Sequence, residues 1–273
     1  MTGSNDYTGG TTVSAGTLRG AVGSLQGNIV NNAAVELAQG TDATYAGVVS
    51  GSGSLTKTGA GTLTLTGTNT YAGATTVTAG RLEIASSGSI DGSSLTNNSQ
   101  VDLYGSVDVT GAVINALTFN LIGGSITAAN GFSNTGSLNV SGSGTSTIVG
   151  NVLSSGSSRI SVGADLTITG DLENSSTASD LVISGVNIGQ MSTFNGTTLN
   201  VTGALTNNNR FFVRDNSTVS ANSSTNTSNG EISLQVGAVL SATNGLTNAG
   251  LLEGVGAVNG ILTSSGTVAP GNS

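Results

Sequence analysis

Carboxylates are the side chains of this sequence that could carry out acid–base chemistry. The chain contains no His and no Cys, so neither a Ser-His nor a Cys-His pair can form, and no serine lies in a G-x-S-x-G elbow. A glycan-cleaving enzyme can nevertheless work with carboxylates alone. Two sets would serve such an enzyme: Asp102 with Asp108, and Asp165 with Asp171 and Asp180. Their positions in turns and at strand edges favour solvated aspartates, so we assign no catalytic residue.

Metal and cofactor sites are not predicted either. The absence of Cys removes thiolate ligands, and the Ca²⁺-binding nonapeptide G-G-x-G-x-D does not occur in the chain. Asp91-Gly92 and Asp215-Asn216 have the composition of turns. The expectation is therefore a protein without a metal centre and without a cofactor.

One cluster combines aromatic and basic residues, namely Arg210, Phe211, Phe212, Val213 and Arg214. Aromatic and Arg side chains are enriched at binding hot spots, so its two Arg and two Phe residues are candidate contacts for a partner. The same cluster could equally cap an irregular coil, with both Phe side chains in the core. The sequence leaves these two interpretations open.

Thr62, Thr64 and Thr66 form a T-x-T-x-T strand, the kind of hydroxyl and methyl array that β-helical ice binders use. Ice binding would need this array on several successive coils, whereas the pattern occurs once in the chain. We therefore interpret these threonines as the solvent-facing side of an ordinary strand.

The charge balance excludes several classes of partner. The net charge is −8, and nucleic-acid binding and attraction to anionic membranes both need clustered cations. No apolar run approaches the ~20 residues of a membrane-spanning helix. The sequence therefore predicts no nucleic-acid partner and no membrane insertion by this segment. The basic residues are Lys57, Arg19, Arg81, Arg159, Arg210 and Arg214.

The composition predicts strands and turns. Only 7% of the residues are charged and 3% are aromatic, and the chain has 43 Gly and one Pro. Val, Ile, Leu and Ala alternate with Ser, Thr, Asn and Gly, which suits a pleated surface and its turns. Residues 33–39 alternate well enough for a strand but also fit a short helix. Short alternating runs occur at 62–66, 81–84, 100–104, 137–140, 159–162, 165–168, 180–183, 198–201 and 231–236.

The chain repeats itself. Residues 2–18 align without a gap to residues 66–82, at a constant offset of 64 and with 11 identities in 17 positions. Internal repetition of this kind is typical of solenoids. Coils of about 20 to 22 residues would place the two copies three turns apart. We expect Tyr7 and Tyr71 to pack over equivalent corners, Val13/Val77 and Leu18/Leu82 to point inward, and Asn5/Asn69 and Gly16/Gly80 to turn the chain.

Many short strands fit a sandwich, a barrel or a parallel β-helix. Three features favour the β-helix: outer faces of Ser, Thr and Asn in place of charge, the internal repeat, and residues suited to corner ladders between coils. A looser pattern of strand, Gly and x-Leu-x-Asn recurs in GDLENS at 170, GALTNN at 203 and GLTNAG at 245. The prediction is an all-β parallel β-helix (β-solenoid) of about 12 to 13 coils.

Residues 47–84, GVVSGSGSLTKTGAGTLTLTGTNTYAGATTVTAGRLEI, resemble the passenger-associated repeat of autotransporters (type V secretion). That repeat has the general form isG-sGsLtKtGaGTLtLtG-NtYtGgTtV-aGtL, and residues 2–18 resemble its second half. Residues 93–273 are similar only to the degenerate solenoid common in these passengers. The positions that match are Gly51, Gly53, Leu55, Lys57, Gly59, Gly61, Leu63, Leu65, Gly67, Asn69, Tyr71, Gly73, Thr75, Val77, Gly80 and Leu82.

The resemblance implies a right-handed parallel β-helix on the bacterial cell surface at the outer membrane, or secreted. It also implies a barrel translocator elsewhere in the full-length protein, because no such barrel is recognisable in this segment. We expect residues 1–92, with the repeats, and residues 93–273, with degenerate coils, to form one continuous domain. Since the first copy starts within a repeat, the segment reads as part of a longer passenger.

The predicted function is structural and adhesive. The segment would serve as a stalk and as a surface that adheres to a host matrix protein or glycan, or to other passengers through self-association. Two alternatives remain open. One is a β-helical glycan-active enzyme that uses carboxylates only, and the other is a self-assembling fibre or biofilm matrix component.

Overall fold

The computed structural model describes residues 3, 5–156, 159–176, 181–183, 196–214 and 216–271. These residues form short β-strands and one 3₁₀ turn, Val22–Ser24, and every strand pairing with a defined register is parallel. Residues 33–39, which fit a strand or a helix by sequence, contain the strand Ala34–Ala38. Contacts divide the chain into two compact units, Met1–Asn130 and Gly131–Ser273. The all-β parallel solenoid predicted from the sequence is confirmed.

Each unit is built from coils that contribute a strand to each of three faces. We number the faces in chain order, with Ser89–Gly92, Leu95–Asn97 and Gln100–Leu103 as the reference coil of the first unit. In the second unit the reference coil is Ser146–Val149, Val152–Gly156 and Arg159–Val162. Third-face strands number five in the first unit and seven in the second among the described residues, which agrees with the predicted 12 to 13 coils.

In the first unit the remaining strands distribute over the three faces as follows. The first face has Thr11–Val13, Ile29–Asn31, Val49–Ser50, Thr68–Asn69, Ser106–Val109 and Ser125–Ala128. The second face has Thr17–Gly20, Ala34–Ala38, Ser54–Thr58, Thr75–Val77 and Val113–Asn115. The third face has Ala43–Tyr45, Thr62–Leu65, Arg81–Ile84 and Thr118–Ile122.

In the second unit two long strands, Thr198–Asn207 and Thr218–Asn226, run from the first face onto the second. The first face also has Leu166–Ile168, Val239–Ala242 and Ala257–Asn259. The second face also has Phe132–Asn134, Leu172–Ser176, Leu246–Asn248 and Leu262–Ser264. The third face also has Ser137–Ser141, Leu181–Ile183, Arg210–Val213, Glu231–Leu234, Leu251–Gly254 and Thr267–Pro270.

The core consists of apolar side chains stacked coil upon coil. On the third face of the first unit, Leu63, Leu82, Val101 and Phe119 lie in register on successive strands and are fully buried. Period-2 alternation puts one side of each strand inward, and in-register pairing places similar residues above one another. Full burial of such a side chain contributes about 1.5–3 kcal/mol.

A ladder of buried amides closes the second face. In the second unit Asn174, Asn207, Asn226 and Asn248 lie in register and are at most 1% exposed. Each of the first three donates from its Nδ2 to the Oδ1 of the next, at 2.9, 2.9 and 2.7 Å. In the first unit Asn97 donates to the next amide in the same way, at 2.7 Å. We call these residues the asparagine ladder, and they confirm the ladders between coils that the sequence predicted.

The two copies of the sequence repeat make the same local contacts. The Tyr71 hydroxyl forms a hydrogen bond with Thr75 Oγ1, and Tyr7 does the same with Thr11 at 2.8 Å. Gly16 and Gly80 both have positive φ, 75° and 67°, which only glycine adopts readily. The inward orientation predicted for the paired apolar residues is confirmed by the burial of Val13, Val77 and Leu82, while Leu18 is half-buried.

The two copies nevertheless lie on different faces. Thr11–Val13 pairs with Ile29–Asn31 on the first face, whereas Thr75–Val77 pairs with Ser54–Thr58 on the second. Along the first face, three coils lead from Thr11 through Ile29 and Val49 to Asn69. The last of these steps is shown by the hydrogen bond from the Thr70 N–H to the Val49 carbonyl oxygen. The predicted spacing of three turns is therefore wrong by one face. The reason is that the three coils hold 18, 20 and 20 residues, so the offset of 64 exceeds three turns by 6 residues, the step to the next face.

Candidate binding surfaces

The predicted aromatic and basic cluster lies on the third face of the second unit. Phe211 points into the core and is fully buried, next to Ile232 of the following coil. Phe212 points outward and is half-buried. The guanidinium carbons of Arg210 and Arg214 lie 4.7 and 5.2 Å from the centre of its ring, within the range of cation–π attraction. The structure thus combines the two sequence interpretations, with one Phe in the core and one at the surface.

Arg210, Phe212 and Arg214 are called the arginine cluster from here on. Arg210 Nε lies 3.6 Å from Glu231 Oε2, so its charge is partly balanced. Arg214 is half-buried, and its Nε is buried without a hydrogen-bond partner among the described residues. A partner role for the cluster and for Phe211 stays a prediction.

The aspartates considered for catalysis do not form a pair. Asp102 lies on the third face and Asp108 on the first. Asp102 is 4% exposed and accepts hydrogen bonds from Gln100 Nε2 at 2.9 Å and Asn120 Nδ2 at 2.7 Å. Its second oxygen lies 3.1 Å from Arg81 Nη1. All of these contacts bind the carboxylate to the scaffold, so the prediction of a solvated aspartate is wrong for Asp102.

The other set of aspartates connects successive coils. Asp165 Oδ1 accepts the Thr198 N–H at 2.9 Å, and Asp171 Oδ1 accepts the Ala204 N–H at 2.8 Å. Asp180 lies outside the described residues. The carboxylates of Asp165 and Asp171 therefore accept hydrogen bonds from backbone donors, and the prediction that they are solvated agrees with their exposure.

A pair of carboxylates that the sequence did not bring together lies on the first face of the first unit. Asp91 and Asp108 occupy neighbouring positions on adjacent strands. Burial, and then the charge of Asp108, raises the pKa of Asp91. Among the described residues no group of three or more His, Cys, Asp or Glu side chains is arranged to hold a metal ion. Predicting this pair would have required the register between the two parallel strands, which cannot be read from the sequence.

Lys57 of the repeat does not contribute to the surface charge. It is 1% exposed, and its Nζ donates to the carbonyl oxygens of Thr58, Gly59 and Ala79 at 3.0, 2.7 and 3.0 Å. Burial lowers the pKa of this ammonium group. Its inward position follows from the alternation with Leu55, two residues earlier, which is also buried.

The threonine array is confined to one strand. On the following coil Thr62 is paired with Arg81 and Thr64 with Glu83. Charged neighbours interrupt any array of hydroxyl and methyl groups, so the interpretation of an ordinary solvent-facing strand is supported. An open groove of about 580 Å³ adjoins this region, and its lining includes Asp42, Thr62 and Arg81.

The first face of the second unit presents an uncharged column of hydroxyl and amide groups. Neighbours in this column pair in register on successive coils, at the roughly 4.8 Å strand spacing of a sheet. A groove of about 360 Å³ borders it and also contacts Asp165 and Leu166. We call this feature the polar column. Its members are Thr147, Thr167, Asn200, Ser220, Ser241 and Asn259.

Fold and surface together define a class: a parallel β-solenoid with stacked, polar outer faces. None of the helical segments in the described part of the chain has the length and apolar character to cross a membrane. The family model of the passenger-associated-transport-repeat matches residues 1–19 and 55–84. These are the two segments in which the sequence resembles that repeat, so the chain carries autotransporter passenger repeats.

A curated relative points in the same direction. Ninety residues, 32% of this chain, are 53% identical to the Adhesin BmaC autotransporter of Brucella suis biovar 1 (strain 1330). The aligned segment covers 3% of that adhesin, so the chain corresponds to a small part of its length. No solved structure matches the chain.

Proposed function

We propose that the chain is a structural and adhesive segment of an autotransporter passenger, displayed on the bacterial surface or secreted. The observation that carries this proposal is the coincidence of passenger-associated repeats with regular solenoid coils whose outer faces are polar. The similarity to a protein named as an adhesin supports the adhesive part. The proposed role is not enzymatic, and its support is that Asp102 is bound to the scaffold and that Asp165 and Asp171 accept hydrogen bonds from backbone donors.

In this proposal the coils separate a distal part of the passenger from the membrane, and the polar column contacts the host. Each hydroxyl or amide on the surface contributes little by itself, since a net hydrogen bond is worth about 0.5–1.5 kcal/mol. Repetition on successive coils multiplies such contacts. Adhesion would therefore be distributed over the face instead of being concentrated in a pocket.

The proposal is tested by coupling the full chain to beads and counting beads retained on an extracellular-matrix preparation. The variant carries Ser220→Glu and Ser241→Glu, which add two charges to adjacent positions of the polar column. Desolvating these carboxylates against a partner is costly, so we expect most of the retention to be lost.

A matched control places the same two charges on adjacent coils of another face of the same unit, as Thr225→Glu and Thr247→Glu. We expect this control to adhere like the wild type, with circular dichroism showing that both variants are folded. Equal loss in both variants, or no retention of the wild-type chain, would contradict adhesion through the polar column.

A further inference from the structure

Exposed cations are scarce on this protein, which makes the arginine cluster unusual. Of the six basic residues, Lys57 is buried. Arg19 and Arg81 each lie within 3.1 Å of a carboxylate oxygen. Among the described side chains, the arginine cluster is where two guanidinium groups meet on one face. Within the described part of the chain, two guanidinium groups are thus brought together on one face of a protein with net charge −8, and Glu231 partly balances Arg210.

The cluster is held on a rigid strand. Phe211 and Val213 alternate with its members and are fully buried, in register with Ile232 and Leu234 of the next coil. The outward side chains are also ordered, because both guanidinium groups lie against the Phe212 ring. A ligand would therefore bind side chains that have already lost much of their rotamer freedom, which reduces the entropic cost of binding.

Arg214 is the half-buried cation of the cluster. Its Nε is buried and has no hydrogen-bond partner within the described part of the chain. Because that atom is buried, a ligand would reach the remaining N–H groups of the half-buried Arg214 side chain. Ser233 lies beside Phe212 on the next coil, and Gln235 on the same coil is exposed.

We propose that the arginine cluster binds an anionic polysaccharide. Sulfate or carboxylate oxygens accept hydrogen bonds from Arg214 and Arg210, in the charge-assisted geometry that guanidinium groups favour. Ser233 and Gln235 are placed to contact sugar hydroxyls. An acidic peptide offers similar charges but fewer hydroxyl groups for these neighbours, so it is the disfavoured ligand. The inference rests on the proposed adhesive function and names a ligand class for it.

The test measures binding of the full chain to immobilised polymers at about 0.15 M salt, where exposed charges are screened beyond roughly 8 Å. The polymers are heparin for sulfate, polygalacturonate for carboxylate, dextran as the neutral glycan, and polyglutamate as the acidic peptide. We expect binding to heparin or polygalacturonate, with the stronger of the two identifying the anion. Dextran should bind at least about tenfold more weakly, because it lacks the charge-assisted contacts, each worth roughly a factor of ten. Polyglutamate should also bind at least about tenfold more weakly, because it offers no sugar hydroxyls to Ser233 and Gln235, and two neutral hydrogen bonds are together worth roughly a factor of ten.

The decisive variant is Arg214→Gln, and Arg19→Gln is the matched control because it makes the same charge change in the first unit. We expect Arg214→Gln to weaken binding about tenfold and Arg19→Gln to change it less than twofold. Arg214→Lys keeps the charge but loses the planar donor, and should fall between wild type and Arg214→Gln. Thermal unfolding of each variant verifies that it is folded.

Three outcomes would overturn the inference: no binding to either anionic glycan, equal weakening by the two Gln variants, or equally tight binding of polyglutamate. The result is separable from the proposed function. Beads that still adhere to matrix without any glycan binding refute this ligand class and leave adhesion standing. Glycan binding without bead adhesion would support this ligand class and contradict the proposed adhesive function.

Discussion

At the scale of single residues, short polar side chains at the corners connect each coil to the next. Asn28, Asp42, Asn151, Asp165 and Asp171 each accept a backbone N–H from the following coil, at 2.7 to 3.0 Å. Asn and Asp serve the same purpose here because both carry a carbonyl-type oxygen at the same reach. The difference between them is that only Asp titrates.

This difference predicts a pH dependence at Asp42. The hydrogen bond from the Thr62 backbone N–H lowers the pKa of Asp42. A carboxyl with a lowered pKa in the folded state contributes stability above its unfolded pKa of about 3.9, and that contribution is lost as the pH falls through the folded pKa. We expect the melting temperature of the wild type to drop more steeply below about pH 4 than that of Asp42→Asn.

Thermal unfolding followed by circular dichroism between pH 2 and 7 measures both slopes. The reciprocal variant Asn28→Asp provides the control, because Asn28 accepts the Val48 N–H in the same way, and it should add acid sensitivity. Superimposable profiles for wild type and Asp42→Asn would show that the Thr62 contact does not influence stability.

At the scale of the strands, stability depends on what each inward column contains. Columns of apolar side chains stabilise the fold because they remove apolar surface from water. The asparagine ladder instead replaces hydrogen bonds between amides and water with hydrogen bonds between buried amides. Ser224 shows the cost of an imperfect column: it lies between Leu205 and Leu246, and its buried Oγ has no partner among the described residues. A ladder stabilises only when its members are satisfied.

Asn207 is the ladder position where removal should be most costly. Its Nδ2 is within hydrogen-bonding distance of Asn209 O, Asn226 Oδ1 and Glu231 O, and its Oδ1 accepts from Asn174. Asn207→Ala removes buried hydrogen bonds to Asn174 and Asn226 together with those to two backbone carbonyls, so we expect a loss of about 2–4 kcal/mol in the free energy of unfolding.

Denaturant unfolding measures this loss, and Asn200→Ala is the matched control. Asn200 lies on the outward side of the same long strand, so its replacement should change the free energy by less than about 0.5 kcal/mol. If both variants lose the same small amount, the ladder does not contribute to stability as argued.

At the scale of the whole molecule, the repeat shows that local sequence and position in the coil are separate properties. Both copies form the same Tyr–Thr hydrogen bond and the same glycine turn. They differ in face because the number of residues between them, 64, is three coils and about one third. Local contacts are set by neighbours in sequence, whereas the face is set by the summed lengths of the intervening coils.

A disulfide scan tests this offset, and the absence of Cys from the chain gives a clean background. Thr12 and Val30 are register partners on the first face, at a strand spacing of about 4.8 Å that a disulfide can span. We expect Thr12→Cys with Val30→Cys to form a disulfide on mild oxidation, observed as a mobility shift that a reductant reverses.

The control pair is Thr12→Cys with Glu36→Cys. If the two copies were three whole turns apart, the first would lie on the second face, where Glu36 is in the column of Thr56 and Thr76. Cross-linking of this control pair in place of the first would contradict the offset between the copies.

Much of the fold was predictable from the sequence because its signals are local. The alternation of Leu63 and Leu65 with threonines specifies a strand with one buried side, and the x-Leu-x-Asn pattern marks corners at Asn174, Asn207 and Asn248. The missing His and Cys excluded whole classes of catalysis by composition alone. The resemblance to a known repeat indicated an autotransporter passenger, a conclusion that amino-acid composition alone does not allow.

The sequence by itself determined the strands, the corners and the repeated unit, since these depend on residues a few positions apart. Only the tertiary structure decided which residues of different coils meet, because register and face depend on the accumulated length of every coil between them. For this reason only the structure showed that Asp91 and Asp108 are neighbours and that Asp102 and Asp108 are not. It also showed that Phe211 lies in the core and Phe212 at the surface. The coil and the face on which a residue lies depend on the summed lengths of all the preceding coils, and no short motif encodes that sum.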